Sequence, residues 1–194
     1  MSLHPNKKWI VGLTGSILSG KSTALAYFKQ AGAEVVSCDQ IVQELYTRAD
    51  VLKKIKTVLG TDHKAEIAEA VFKNAAKRKQ LEKILHPLIL KQARAQINKS
   101  MRRLVVWEIP LLFEAGWEKL TDLNICVLAD PKTLPQRLKG RKMSRAEYER
   151  RLKTQLPPLE KAAKADIVFV HKNKIQLKQS VTRFCCAFNV LQKK

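Results

Sequence analysis

Apolar residues fall along this chain in two rhythms. Short, predominantly apolar runs at 9–13, 33–37, 104–107, 124–129 and 166–170 are four to six residues long, which predicts five buried strands. Between them the apolar positions recur every three or four residues: Val51, Leu52, Ile55, Val58 and Leu59; then Ile67, Val71 and Phe72; then Leu81, Ile84, Leu85, Leu88 and Ile89. That spacing predicts helices, as does the composition from Ala24 onward and the amphipathic stretch 175–191 that closes the chain. Short apolar strands alternating with helices specify a parallel sheet covered on both faces. The block 41–100 contains no strand and reads as a helical insertion between the second and third strands, divided by a turn at 60–64. Pro87 is expected to kink or restart a helix within it.

Length and charge narrow the picture without changing it. A chain of 194 residues holds one well-cored α/β domain with an insertion. Lysine and arginine outnumber the acidic residues 37 to 17, a formal +20, yet the basic positions are spread over the chain and aromatics are only 6%, too few for a base-stacking platform. The charge therefore predicts a preference for anionic ligands, not specific nucleic-acid binding. Cys38, Cys126, Cys185 and Cys186 form no C-x-x-C pair and have no histidine at metal-ligand spacing, which argues against a zinc site. Neither the apolar run of a secretion signal nor a membrane span is evident, and the expected compartment is a reducing cytoplasm.

Candidate chemistry begins directly after the first strand. Gly15, Gly20, Lys21 and Ser22 satisfy G-x-x-x-x-G-K-[ST] between a strand and a helix, the context in which that motif binds phosphate. Glycines let backbone N–H groups approach an anion, the helix start adds its positive end, Lys21 reaches the β and γ phosphates, and Ser22 offers a hydroxyl to Mg²⁺. Asp39 falls at the end of the second strand, on the sheet edge where such folds bind ligands; it is either a substrate-facing carboxylate or the cap of the following helix. Glu108 ends the third strand and is either a metal- or substrate-binding group or an ordinary loop charge. His86 beside Pro87 is a packed histidine or a ligand. Arg137, Arg141, Arg145, Arg150 and Arg151 crowd one helical segment ahead of Pro157-Pro158, either a lid that closes on polyphosphate or a solvated basic helix.

Taken together, these blocks resemble the dephospho-CoA kinase family of P-loop kinases, which use ATP to phosphorylate the ribose 3′-hydroxyl of dephospho-CoA in the last step of coenzyme A synthesis. The resemblance is carried by Gly12-Leu13-Thr14-Gly15 with Ser19-Gly20-Lys21-Ser22-Thr23, Cys38-Asp39 with Ile41-Val42, and Leu85-His86-Pro87-Leu88-Ile89. It continues through Pro110-Leu111-Leu112-Phe113-Glu114 with Gly116, Arg137-Leu138 with Arg141, Arg151-Leu152 with Gln155, and Ala165-Asp166-Ile167-Val168 with Asn173. The fold it implies is α/β, of the nucleoside monophosphate kinase type: a five-stranded parallel sheet flanked by helices. The nucleotide-binding core would be 1–46, 101–136 and 159–194, the helical CoA-binding insertion 47–100 and the lid 137–158. ATP and Mg²⁺ are the implied cofactors, and dephospho-CoA the small-molecule partner.

By the same resemblance, Gly15, Leu18, Ser19, Gly20, Lys21, Ser22 and Thr23 would surround the phosphates, Ser22 would bind the metal and Asn173 would lie near adenine. Asp39 matches the catalytic aspartate that accepts the hydroxyl proton, with Lys21 and Arg141 stabilising the transferring group; Asp39, His86, Glu108 and Lys64 would meet the substrate. Several positions depart from the family pattern. Ser16 and Leu18 stand where two glycines are usual, so Leu18 must either keep ordinary backbone angles or accept strain of about 1–3 kcal/mol. Ser37 replaces an acidic residue, and His63-Lys64 stands for Asp-Arg. A kinase for another nucleotide or small alcohol shares the loop and lid. A basic nucleic-acid-binding ATPase fits less well, since no strand ends in Asp-Glu and no nucleic-acid module is evident.

Overall fold

The structure, a computed structural model, describes residues 7–191. Its elements are β1 (Trp9–Thr14), α1 (Lys21–Gln30), β2 (Glu34–Ser37), α2 (Cys38–Leu45), α3 (Ala49–Leu59), α4 (Lys64–Lys73), α5 (Ala75–Lys99), β3 (Leu104–Glu108), β4 (Leu123–Ala129), α6 (Leu134–Gly140), α7 (Arg145–Leu152), α8 (Pro158–Lys164), β5 (Ile167–His171) and α9 (Lys174–Leu191). They divide into two compact units, residues 37–99 and the remainder of the described chain. The smaller unit takes in α2 as well as nearly all of the segment 47–100 expected as the insertion.

In the larger unit the strands form one sheet in the order β2-β3-β1-β4-β5. β1 is central, with parallel partners on both sides: Leu13 lies opposite Glu108 of β3 and Ile125 of β4, while β4 pairs in parallel with β5. Because the order reverses at β1, the carboxyl end of that strand is the switch point where open α/β sheets bind ligands. Burial dictates these strands. Val11 and Leu13, Leu104 and Val106, Ile125 and Val127, and Phe169 share a core with Ala24, Leu25 and Phe28 of α1 and Leu177, Val181 and Cys185 of α9. Phe28 stacks on Phe169 at 6.3 Å and meets Phe184 edge-on at 5.7 Å, which fixes α1 and α9 against the sheet. Elsewhere in this unit Trp107 of β3 stacks on Trp117 at 5.7 Å.

The smaller unit is organised on α5, which α2, α3 and α4 all contact. Its buried residues Leu81, Leu85, Ile89, Ala93 and Ile97 keep a strict four-residue spacing. A four-residue step overshoots one helical turn by about 40°, so the apolar stripe winds around the helix and presents itself to three partners in succession. Pro87 does not restart a helix, since α5 is continuous from Ala75 to Lys99. The proline is exposed, and packing of the buried stripe on both sides of it outweighs the backbone bond it cannot make. Among the described residues no helix is long and apolar enough to cross a membrane.

The fold makes two stability predictions. Ile55→Ala, at a fully buried position of α3 in the smaller unit, is expected to cost about 2–5 kcal/mol in urea unfolding. Pro87→Ala restores a helical N–H on an exposed face and is expected to stabilise the protein by about 1 kcal/mol or more, read as a higher melting temperature.

Candidate active site

The turn from β1 into α1 is built for backbone recognition of an anion. Gly15 has φ 149° and Gly20 φ 103°, and a Cβ at either would collide: 2.4 Å from the Val127 carbonyl oxygen at Gly15, 2.0 Å from His171 Nδ1 at Gly20. Glycine is therefore required by both angle and space. Leu18 sits at φ 60°, so of the two conformations open to it the loop imposes the strained one, at a cost of about 1–2 kcal/mol. The α1 N-terminus begins at Gly20 with no side-chain cap and no acidic residue in its first turn, which leaves its positive end uncompensated. Lys21 Nζ donates to the carbonyls of Gly15 and Ser16 at 2.8 and 3.1 Å, arching over the turn. The Ser16 and Ser19 hydroxyls are buried and have no hydrogen-bond partner among the described residues, a cost that an incoming acceptor relieves. Ser22 is exposed and Thr23 half-buried in the first turn.

A second shell of polar groups holds the loop from outside. Arg137 of α6 donates through Nη1 to the Leu18 and Ser19 carbonyls at 3.0 and 3.3 Å, through Nη2 to the His171 carbonyl at 2.8 Å, and through Nε to Thr133 Oγ1 at 2.7 Å. His171, the last residue of β5, lies with Nδ1 2.9 Å from the Ser19 carbonyl oxygen. Arg137 Nη1, which only donates, lies 3.1 Å from the same nitrogen, so Nδ1 can serve one of the two; the carbonyl only accepts and is the closer, which assigns the proton to Nδ1 and leaves Nη1 to the Leu18 and Ser19 carbonyls. Burial pushes the His171 pKa below its ordinary value, and nearby Arg137 and Lys174 push it the same way against the opposing pull of the Ser19 bond, so the ring is neutral at pH 7.

Beneath the loop lies a buried cation. Lys161 of α8 is fully buried and donates Nζ to the Pro110 carbonyl at 2.6 Å and to Glu114 Oε1 at 2.9 Å; the same Pro110 carbonyl accepts from Thr14 Oγ1 at the end of β1. Glu114 Oε1 also accepts the Leu156 N–H at 2.8 Å. The Pro-Leu-Leu-Phe-Glu run thus ties α8 to the strand that feeds the loop. Cys126 of β4 feels Lys161 and Lys21, but burial dominates and pushes its thiol up to about 11, so it acts as a small apolar side chain. Glu108 is 2% exposed beside Leu13, which rules out a solvated loop charge.

The remaining predicted residues are distributed as follows. Arg141 is exposed at the end of α6, next to Lys142 at φ 50°. Asn173 caps α9, its Oδ1 accepting the Gln176 N–H at 2.9 Å. In the smaller unit Asp39 is the exposed second residue of α2, and the cap of that helix is Ser37, whose hydroxyl accepts the Gln40 N–H. The helix starts two residues earlier than the capping reading of Asp39 required, which leaves its carboxylate in the first turn. Lys64 opens α4 with its ammonium 5.8 Å from the Tyr46 ring centre. His86 is half-buried in α5; burial lowers its pKa and Glu82, one turn earlier, opposes. Sequence reasoning passed over Lys161 and His171. For His171 a signal existed, a histidine at the carboxyl end of a strand; for Lys161 there was none, since nothing local marks a lysine as buried.

Comparison with known proteins agrees with this geometry. A model of the family described as dephospho-CoA kinase matches residues 9–177. A dephospho-CoA kinase of Fusobacterium nucleatum is 31% identical over 186 residues, covering 91% of this chain and 96% of that one. The crystal structure of a Thermus thermophilus protein superposes with TM-score 0.84 at 27% identity, covering 93% of this chain and 97% of that one. A dephospho-CoA kinase from Campylobacter jejuni superposes with TM-score 0.62 at 26% identity, covering 95% and 97%. With the phosphate loop, the sheet order and the match over most of its length in agreement, this chain belongs to the dephospho-CoA kinase family.

Proposed function

We propose that this chain carries out the reaction for which its family is named, transfer of the γ-phosphoryl group of ATP to the ribose 3′-hydroxyl of dephospho-CoA, giving coenzyme A and ADP. The observation that carries this reading is the turn 15–21: two glycines with no room for a side chain, a lysine bridging its mouth, and two buried hydroxyls without a partner among the described residues. Gly15, Leu18, Ser19, Gly20, Lys21, Ser22 and Thr23 surround the phosphates, and Asn173 keeps its amide NH₂ for the base while its oxygen caps α9. Phosphoryl transfer asks little covalent chemistry of a protein, so the work of these residues is positioning and charge neutralisation.

Lys21 and Arg141 supply positive charge to the transferring group, and Asp39 accepts the proton of the attacking hydroxyl. Glu108, His86 and Lys64 contact the acceptor. Among the described residues no group of three or more His, Cys, Asp or Glu side chains is arranged to hold a metal ion. An Mg²⁺ arriving with the nucleotide would be held by the Ser22 hydroxyl, exposed in the first turn of α1. When bound, it would offset charge on the β and γ phosphates.

Purified protein supplied with ATP, Mg²⁺ and dephospho-CoA is expected to release ADP in a coupled assay and to form coenzyme A, with only slow hydrolysis when the acceptor is omitted. Turnover of nucleoside monophosphates with none of dephospho-CoA would overturn the assignment of the acceptor. Asp39→Asn is expected to lower kcat by about 10²–10⁴-fold while ATP still binds. Unchanged turnover would remove Asp39 from the mechanism. Lys21→Met is expected to cost about 10²-fold or more in kcat/KM for ATP, because it removes the charge that faces the β and γ phosphates.

A further inference from the structure

The phosphate loop is gripped by side chains that touch its carbonyl oxygens, the backbone groups that an anion would not approach. His171 Nδ1 and Arg137 Nη1 converge on the Ser19 carbonyl at 2.9 and 3.3 Å, and Nη1 also holds the Leu18 carbonyl at 3.0 Å. Two successive peptide planes are therefore pinned. In a trans peptide the N–H points opposite to the C=O, so anchoring the Ser19 carbonyl outward turns the Gly20 N–H inward. Ser19's own N–H is committed to the Ser16 carbonyl at 3.1 Å, which makes Gly20 the amide that the grip orients.

Given the reading of residues 15–23 as an ATP site, we infer that His171 is a positioning residue of the phosphate loop: with Arg137 it turns the Gly20 amide toward the triphosphate and holds Leu18 in a left-handed conformation its side chain disfavours. Three observations fit together on this point. A leucine at φ 60° persists only where its surroundings over-determine it, and pinning the two peptide planes that follow does so. The imidazole stands so close that a Cβ on residue 20 would lie 2.0 Å from Nδ1, so no residue but glycine admits the contact. The backbone that carries the ring is itself held, because the His171 carbonyl accepts both Arg137 Nη2 at 2.8 Å and the Asp130 N–H at 3.3 Å. His171 is 5% exposed and neutral, so the bond to Ser19 is screened from water and carries no net charge into the site.

The test is calorimetric titration with Mg²⁺·ATP together with steady-state kinetics on His171→Ala, His171→Asn, His171→Gln, Leu18→Gly and the double variant Leu18→Gly/His171→Ala. An asparagine amide places its N–H where the imidazole Nδ1–H lay, whereas a glutamine amide places it where Nε2 lay. His171→Asn is therefore expected to bind ATP within threefold of the unsubstituted protein. His171→Gln and His171→Ala are expected to bind it tenfold or more weakly, with KM for ATP raised in step and KM for dephospho-CoA changed less than twofold. Compared with Leu18→Gly alone, the double variant is expected to lose less than threefold, because glycine adopts the loop conformation without the grip. Equal losses in both backgrounds, equal losses with asparagine and glutamine, a parallel rise in both KM values, or no loss at all would each overturn the inference. Should His171→Ala not fold, the asparagine–glutamine contrast decides alone. Calorimetry needs no acceptor, so failure to phosphorylate dephospho-CoA by protein that shows these ATP affinities defeats the proposed reaction and leaves the role of His171 standing. Normal coenzyme A formation with unaltered ATP affinity in His171→Gln defeats that role alone.

Discussion

A loop that binds phosphate through its backbone must keep its N–H groups turned inward and its carbonyls turned out. Bonds within the loop, from Lys21 to the Gly15 and Ser16 carbonyls and from the Ser19 N–H to the Ser16 carbonyl, do not suffice for this, since an isolated peptide of that length samples many conformations. The enforcement comes from outside: the strand that enters, the helix that leaves, and whatever holds the outward carbonyls. Here β1 enters from the centre of the sheet, fixed by parallel partners on both sides, and α1 leaves through a glycine at φ 103°. The outward carbonyls of Leu18 and Ser19 meet Arg137 and His171.

Much of the larger unit can be understood as support for that turn. Phe28, Phe169 and Phe184 lock α1 to the sheet, so the helix start cannot drift from the strand end. Lys161 does comparable work below. A fully buried ammonium is tolerated only where oxygens surround it, and here the Pro110 carbonyl and the Glu114 carboxylate both lie within 3 Å. Because Pro110 is also bonded to Thr14, the last residue before the loop, the cation braces the turn without touching its contents. The loop's departures from glycine therefore do not stand alone: Leu18 carries a strained angle, and the contacts around it compensate.

Much of this was legible in the one-dimensional pattern. All five strands fell within a residue or two of their expected bounds because strands of a parallel sheet are predominantly apolar; the expected burial fails only at the edge strand β5, where Val168 and Val170 are exposed. The glycines, Lys21 and Ser22 were legible because their meaning depends only on neighbours in the chain. Other expectations turned on competition between local and distant forces. Pro87 has a strong local tendency to end a helix, and the packing of Leu81, Leu85, Ile89, Ala93 and Ile97 overrode it. Asp39 is a good cap by type, yet Ser37, two residues earlier, took that position because β2 hands over directly to α2. Both outcomes depend on where the chain is held elsewhere.

What the sequence by itself determined is the class of the molecule and the place of its phosphate site, since periodicity and the spacing of Gly15, Gly20, Lys21 and Ser22 are local quantities fixed by bond geometry. Only the tertiary structure decided how that site is held. Arg137 reaches Leu18 across 119 positions of chain and His171 reaches Ser19 across 152. At such separations no spacing rule relates two residues, and only the order β1-β4-β5 at the sheet's edge brings the end of β5 beside the loop. The same holds for Lys161, because burial of a charged side chain is a property of the completed packing and leaves no trace in the residues next to it.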